Sequence, residues 1–131
     1  MEIHRSLSAP CGSDRLFAWV EDLSVYPQWM SVVHHVGPVT EVGGLSAWQV
    51  ELRAEVGPFA RSKVLRMVRI EHDEPHRVTF ERRELDGRQH SPWVLRATVD
   101  SGTGPAFAES TLTMELRYGG SLWSGAVLQR V

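Results

Sequence analysis

Arg82 and Glu84 are the residues of this 131-residue chain whose types and spacing best suit chemistry. They stand two apart in an extended run, in step with Val78 and Phe80, so as a strand all four project from one side. A guanidinium on an apolar face needs a partner, because an unpaired buried charge is strongly destabilising. Glu84 is one candidate partner, and a carboxylate or carbonyl of a bound molecule is the other. Such a pair could also assist proton transfer, which makes Arg82 and Glu84 the candidate catalytic residues. A neighbouring run carries Arg66 in step with Val64, Val68 and Ile70. Strand ends or a wet face would satisfy both arginines equally well. Tyr118 offers a weak donor or simple core packing. An acid–base enzyme needs a third polar group around the same void, and the sequence assigns none.

The other reactive residue types read as structural. His34 and His35 are adjacent, so in a strand their rings point to opposite faces and cannot hold one ion. His72 and His76 have the spacing of helical zinc ligands, but Asp73-Glu74-Pro75 between them reads as a turn, where that spacing shares no face. No metal site and no cofactor are expected. Cys11 is the only cysteine, which excludes an internal disulfide and a four-thiolate metal centre. It follows Pro10 in a turn, and nothing beside it in sequence would activate the thiol. Neither a Gly-x-Ser-x-Gly elbow nor a phosphate-cradling glycine loop is present.

Composition narrows the classes further. With 42% hydrophobic and 23% charged residues, the chain reads as one globular domain over residues 1–131. A net charge of −2 gives no general attraction for a phosphate backbone, so nucleic acid is not an expected partner. No run approaches the roughly 18 apolar residues of a membrane-spanning helix. Stable membrane insertion is therefore not expected. The start, Met1-Glu2-Ile3-His4-Arg5, lacks the basic-then-apolar pattern of an export signal, which leaves the cytoplasm as the default expectation.

The elements that must position these residues follow from periodicity. Glu2 to Ser8 alternates Ile3, Arg5 and Leu7 against His4, Ser6 and Ser8, as a strand does. Ala9-Pro10-Cys11-Gly12 breaks it, and Gly12 or Ser13 can cap a helix with Leu16, Phe17 and Val20 on one face. A second short helix is predicted over Leu23 to Met30, interrupted by Pro27. The period then becomes two. Strands are predicted over Val32–Val39, from Trp48 to Val56, Phe59 to about Glu71, Arg77–Glu84, His90–Asp100 and Ser110–Tyr118, with Asp86-Gly87 as a hairpin signal. Leu122, Trp123, Ala126, Val127 and Val131 sit at helical spacing after Gly119-Gly120. The class is α+β: an antiparallel meander with one greasy face that needs a cover. The terminal helix is the best candidate for that cover. A bent sheet closing on one helix leaves space between them. Its expected lining is Trp48, Val50, Leu52, Phe80, Arg82, Trp93, Leu95, Leu112, Met114 and Leu116, and aromatic-rich walls with few polar groups suit a small molecule. Tyr26, Trp29 and Trp123 form either the mouth of that space or core packing between the helices.

Three stretches resemble the SRPBCC, or START-like, superfamily, which includes polyketide cyclase/dehydrase and lipid-transport proteins. SLSAPCGSDRLFAWVEDLSVYPQWM looks like its opening, ending in the aromatic-Pro-x-Trp segment Tyr26-Pro27-Gln28-Trp29. DEPHRVTFE is similar to its Pro-x-Arg turn, and STLTMELRYGG followed by LW looks like its last strand and helix start. The resemblance implies a helix-grip fold: a curved antiparallel sheet of about six or seven strands around a C-terminal helix, with two short helices after the first strand. It implies a lipid-like or polyketide-like hydrophobic ligand between sheet and helix. The alternative it implies is a polyketide cyclase or aromatase-dehydratase using a pocket arginine. An interaction protein, with the pocket edge holding another chain, is a third reading. The helix from Ser121 to Val131 is several turns shorter than is usual there, and a partner subunit, as in a homodimer, is one way to complete the pocket.

Overall fold

A computed structural model describes residues 1–41, 43–102 and 109–119. Strand β1 (Glu2–Ala9) is followed by a one-turn helix α1 (Ser13–Phe17) and a 3-10 helix (Leu23–Gln28). Six strands then follow: β2 (Val33–Pro38), β3 (Ala47–Val56), β4 (Phe59–Asp73), β5 (Arg77–Arg82), β6 (Trp93–Ser101) and β7 (Ser110–Tyr118). All pair antiparallel in one seven-stranded sheet, in the order β1-β7-β6-β5-β4-β3-β2. The predicted closing helix, with Trp123, lies outside the described residues.

The strand order explains the rest. β1 and β2 are consecutive in the chain but occupy opposite edges of the sheet. The segment joining them carries α1 and the 3-10 helix, and it packs over the inner face. Its apolar side chains Phe17, Val20, Leu23 and Tyr26 are buried in one core with Val50, Leu65, Val78, Phe80 and Val99 of the sheet. The outer face is polar, as alternation demands. Ser6 and Ser8 meet Thr113 and Thr111 at 3.2 and 3.3 Å, and Thr79 donates to Glu71 at 2.8 Å.

Three local features refine or depart from the sequence reading. Residues 23–28 form a 3-10 rather than an α-helix; Pro27 lies inside and has no N–H to give an α-helical ladder. β5 stops at Arg82 and β6 begins at Trp93, so Asp86-Gly87 turns inside a longer loop instead of making a two-residue hairpin. Gly87 supplies the positive φ of 72° there, and Asp86 Oδ1 accepts the Arg88 N–H at 2.9 Å. A bulge between Arg69 and Glu71 also shifts the parity of β4. Arg69 and His72 stand opposite the inward Phe80 and Val78, while Arg66 pairs with Gln49 on the outer side. Arg66 is held there by the carbonyls of Arg83 and Thr40, at 3.0 and 3.1 Å.

Tyr26 pins the cover to the sheet. It is fully buried, its ring meets Phe80 edge-on at 6.2 Å, and its hydroxyl donates to the Val20 carbonyl at 2.9 Å. Burial pushes the phenol far above its ordinary pKa, so it stays neutral. Tyr26→Phe leaves the packing and removes one buried hydrogen bond, so a loss of about 1 kcal/mol is expected. Phe80→Ala empties the sheet side of the contact and is expected to cost about 3–5 kcal/mol. Urea unfolding of both variants checks this; a Tyr26→Phe loss as large as that of Phe80→Ala would contradict the division.

Candidate functional site

Two adjacent spaces lie between the cover and the inner face, as bounded by the described residues. The inner cavity, about 70 Å³, is floored by Ile3 of β1, Val50 and Leu52 of β3, Leu65 and Met67 of β4, Trp93 and Leu95 of β6, and Met114 and Leu116 of β7. Leu23, Tyr26, Met30, Val32 and Val33 roof it. Alternation puts each floor residue on the same side of its strand, which is why no charged group enters this lining. The outer groove, about 520 Å³, runs between β1/β7 and the cover. Leu7, Leu16, Trp19, Val20, Trp29 and Leu112 give it apolar walls, and Arg5, Ser6 and Gln28 are polar. Met30 and Met114 belong to both linings and form the partition. Met side chains are flexible, so the partition can yield to a guest.

The expected lining residues fall into three groups. Tyr26, Val50, Leu52, Trp93, Leu95, Met114 and Leu116 line the inner cavity. Trp29, Leu112 and again Met114 line the groove. Trp48 and Phe80 are buried behind them and touch each other edge-on at 5.6 Å. Trp29 is fixed in place: its ring lies 4.7 Å from Tyr26 and its Nε1 donates to the Trp19 carbonyl at 3.0 Å. Trp93 stacks on Tyr118 at 4.8 Å, and its Nε1 is buried with no hydrogen-bond partner among the described residues.

Arg82 and Glu84 sit outside both linings. Arg82 Nε donates to Glu84 Oε1 at 3.0 Å, and the side chains are 8% and 20% exposed. Glu84 Oε1 also accepts the Arg66 backbone N–H at 3.0 Å. The rest of the guanidinium reaches Ser91 O at 3.2 Å and His90 Nδ1 at 3.3 Å. Arginine only donates, so Nδ1 accepts and His90 Nε2 carries the proton that meets Asp86 Oδ2 at 2.8 Å. The Arg88 N–H first, and His90 with it, hold the Asp86 carboxyl below its ordinary range. Burial, then Arg82, holds the Lys63 ammonium below the usual lysine range, with Glu84 acting the other way. The whole cluster fastens the β5–β6 loop to the sheet end.

Sequence reasoning missed two arginines. Arg69 points inward in step with Leu65 and Met67, just ahead of the β4 bulge, lies 5.5 Å from the Trp48 ring centroid and donates to the Glu21 carbonyl at 2.7 Å. The alternation Leu65-x-Met67-x-Arg69 is the signal that could have found it, but Val64, Val68 and Ile70 make the opposite parity of β4 read as equally apolar. Arg5 did carry a signal, because it alternates with Ile3 and Leu7. Of the histidines, His34 and His35 are exposed. His72 stacks on Phe17 at 5.8 Å. Its nearest potential metal-ligand partners are Glu21 and Glu74, with ligand atoms within 4.8 Å, rather than His76. His72 and Glu74 are solvent-exposed, as polar groups on a surface commonly are.

This arrangement, one seven-stranded antiparallel sheet with a short helical insert after its first strand, is the START-like, or SRPBCC, fold. A START superfamily protein from Mycobacterium smegmatis superposes with a TM-score of 0.68 at 14% identity, over 90% of this chain and 76% of that one. Ginseng major latex-like protein 151 from Panax ginseng gives 0.66 at 11% identity, over 98% and 90%. The di-domain ARO/CYC BexL from the BE-7585A biosynthetic pathway gives 0.61 at 13% identity, over 91% of this chain and 36% of that one. No family model matches the chain, and no curated protein matches it by sequence.

Glu84→Ala strands a largely buried guanidinium, so a loss of about 3 kcal/mol is expected. Arg82→Met combined with Glu84→Ala removes the stranded charge and is expected to recover most of that loss. A double-mutant cycle by chemical denaturation reads the coupling, and additive losses would contradict a closed pair.

Proposed function

We propose that this chain works as a single START-like domain over residues 1–131 that binds one hydrophobic small molecule, lipid-like or polyketide-like. The guest lies against the inner face of the sheet, in the groove and the cavity behind it. One observation carries this reading: a largely apolar groove of about 520 Å³ and an apolar cavity share Met30 and Met114 in their linings. That volume falls within the roughly 300–1,000 Å³ of small-molecule sites. The residues proposed to hold the guest are Tyr26, Val50, Leu52, Trp93, Leu95, Met114 and Leu116 inside, with Trp29 and Leu112 in the groove. Dispersion and the removal of apolar surface from water supply the affinity.

Supporting this reading, the fold neighbours include a START superfamily protein and an ARO/CYC protein. Among the described residues no helix is long and apolar enough to cross a membrane. The cyclase alternative has no observation of its own here. Its named pair, Arg82 and Glu84, closes on itself outside both linings, and the Tyr26 hydroxyl is already bonded to the Val20 carbonyl.

Titration with Nile red, a neutral apolar fluorophore, tests the proposal. Wild type is expected to show one saturable site with a blue-shifted emission. Met114→Trp fills the partition and is expected to weaken binding roughly tenfold, about 1.4 kcal/mol. Met114→Leu conserves volume and should bind as wild type does. No saturable site in wild type, or unchanged binding by a folded Met114→Trp, would overturn the reading.

A further inference from the structure

Three arginines point from the inner face of the sheet, and they are not equivalent. Arg82 is spent on Glu84, Ser91 and His90. Arg69 is spent on the Glu21 carbonyl and the Trp48 ring. Arg5 makes one hydrogen bond, from Nη1 to the carbonyl of its neighbour His4 at 2.8 Å, and no carboxylate lies within ion-pair distance among the described residues. Among the described residues Arg5 is also the one charged side chain in either lining.

Its position along the site is set by strand register. On β1, Ile3 floors the inner cavity, while Arg5 and Leu7 line the groove. On β7, the paired Leu116 belongs to the cavity, Met114 to both spaces, and Leu112 to the groove. The site is therefore polarised. Among the described residues its deep end is wholly apolar, and a guanidinium with N–H groups to spare stands level with Met114, where cavity and groove meet, with Leu7 and Leu112 farther out. A ligand matched to it has an apolar body and an anionic oxygen at one end. Arginine's planar fork suits a carboxylate or phosphate, with which it can form two parallel hydrogen bonds.

We propose that the ligand is a single-headed anionic amphiphile whose head group is bound by Arg5 and whose apolar chain lies along the apolar walls of the groove and against Met30 and Met114. This rests on the hydrophobic-ligand reading above. Arg5 is exposed, so solvent screens the contact, and the discrimination is moderate rather than absolute.

Displacement of Nile red by three probes with one chain length tests it: dodecanoate, dodecyl phosphate and dodecan-1-ol, each below its micelle-forming concentration. At least one anionic probe is expected to bind wild type roughly tenfold more tightly than the alcohol. The tighter of the two identifies the head group. Arg5→Gln should lose that preference while keeping the alcohol's affinity, Arg5→Lys should keep part of it, and Arg82→Gln should leave it intact. Equal binding of all three probes by wild type overturns the Arg5 assignment and leaves the apolar site standing. So does a preference that survives Arg5→Gln. Failure of Nile red and all three probes to bind overturns the assignment together with the reading it rests on.

Discussion

The fold depends on one topological constraint: the first and second strands lie at opposite edges of a seven-stranded sheet. Six interstrand steps at about 4.8 Å put them roughly 29 Å apart. The chain between them must travel that distance across one face, and it can do so only by burying apolar side chains against it. Phe17, Val20, Leu23 and Tyr26 are those side chains. The crossing is too slim to cover the face completely, because it consists of one helical turn and one 3-10 helix. Among the described residues this leaves space at its flank, and the apolar lining follows from strand alternation.

Polar groups on the inner face serve mainly to hold this crossing and the sheet ends in place. Arg69 ties β4 to Glu21, between α1 and the 3-10 helix, and Tyr26 ties the 3-10 helix to Val20 in that same junction. Arg82 and Glu84 tie the β5–β6 loop to the sheet. Each of these groups has a partner, which keeps the cost of burial low. Trp93 is the exception, with an indole N–H left unpaired among the described residues. Arg5 differs in kind: among the described residues it bonds only the carbonyl of its neighbour His4, and it lines the groove.

Much of the sheet was legible from alternation alone. Trp48-x-Val50-x-Leu52-x-Ala54 and Leu112-x-Met114-x-Leu116 face inward as their period of two requires. The crossing was legible in outline from Ala9-Pro10 and from the Leu16, Phe17, Val20 face. What stayed hidden depends on long-range register. Both parities of β4 carry apolar residues, and only its pairing with β3 and β5 puts Leu65, Met67 and Arg69 inside and Arg66 outside. Expecting a strand through Glu84 aligned Arg82 and Glu84 correctly but did not reveal that the β5–β6 loop returns His90 and Ser91 to enclose them. The role of β1 was hidden because its partner, β7, is the last strand, so Arg5 meets Met114 only after the sheet has closed that pairing.

The central claim is that the space beside the crossing holds an apolar guest. Native mass spectrometry of the protein purified from its own host tests it most directly. The account predicts a second species, heavier by the mass of one lipophilic molecule, that collapses to the bare chain under denaturing conditions. The bare mass alone, both as purified and after incubation with a lipid extract of the host, would contradict it.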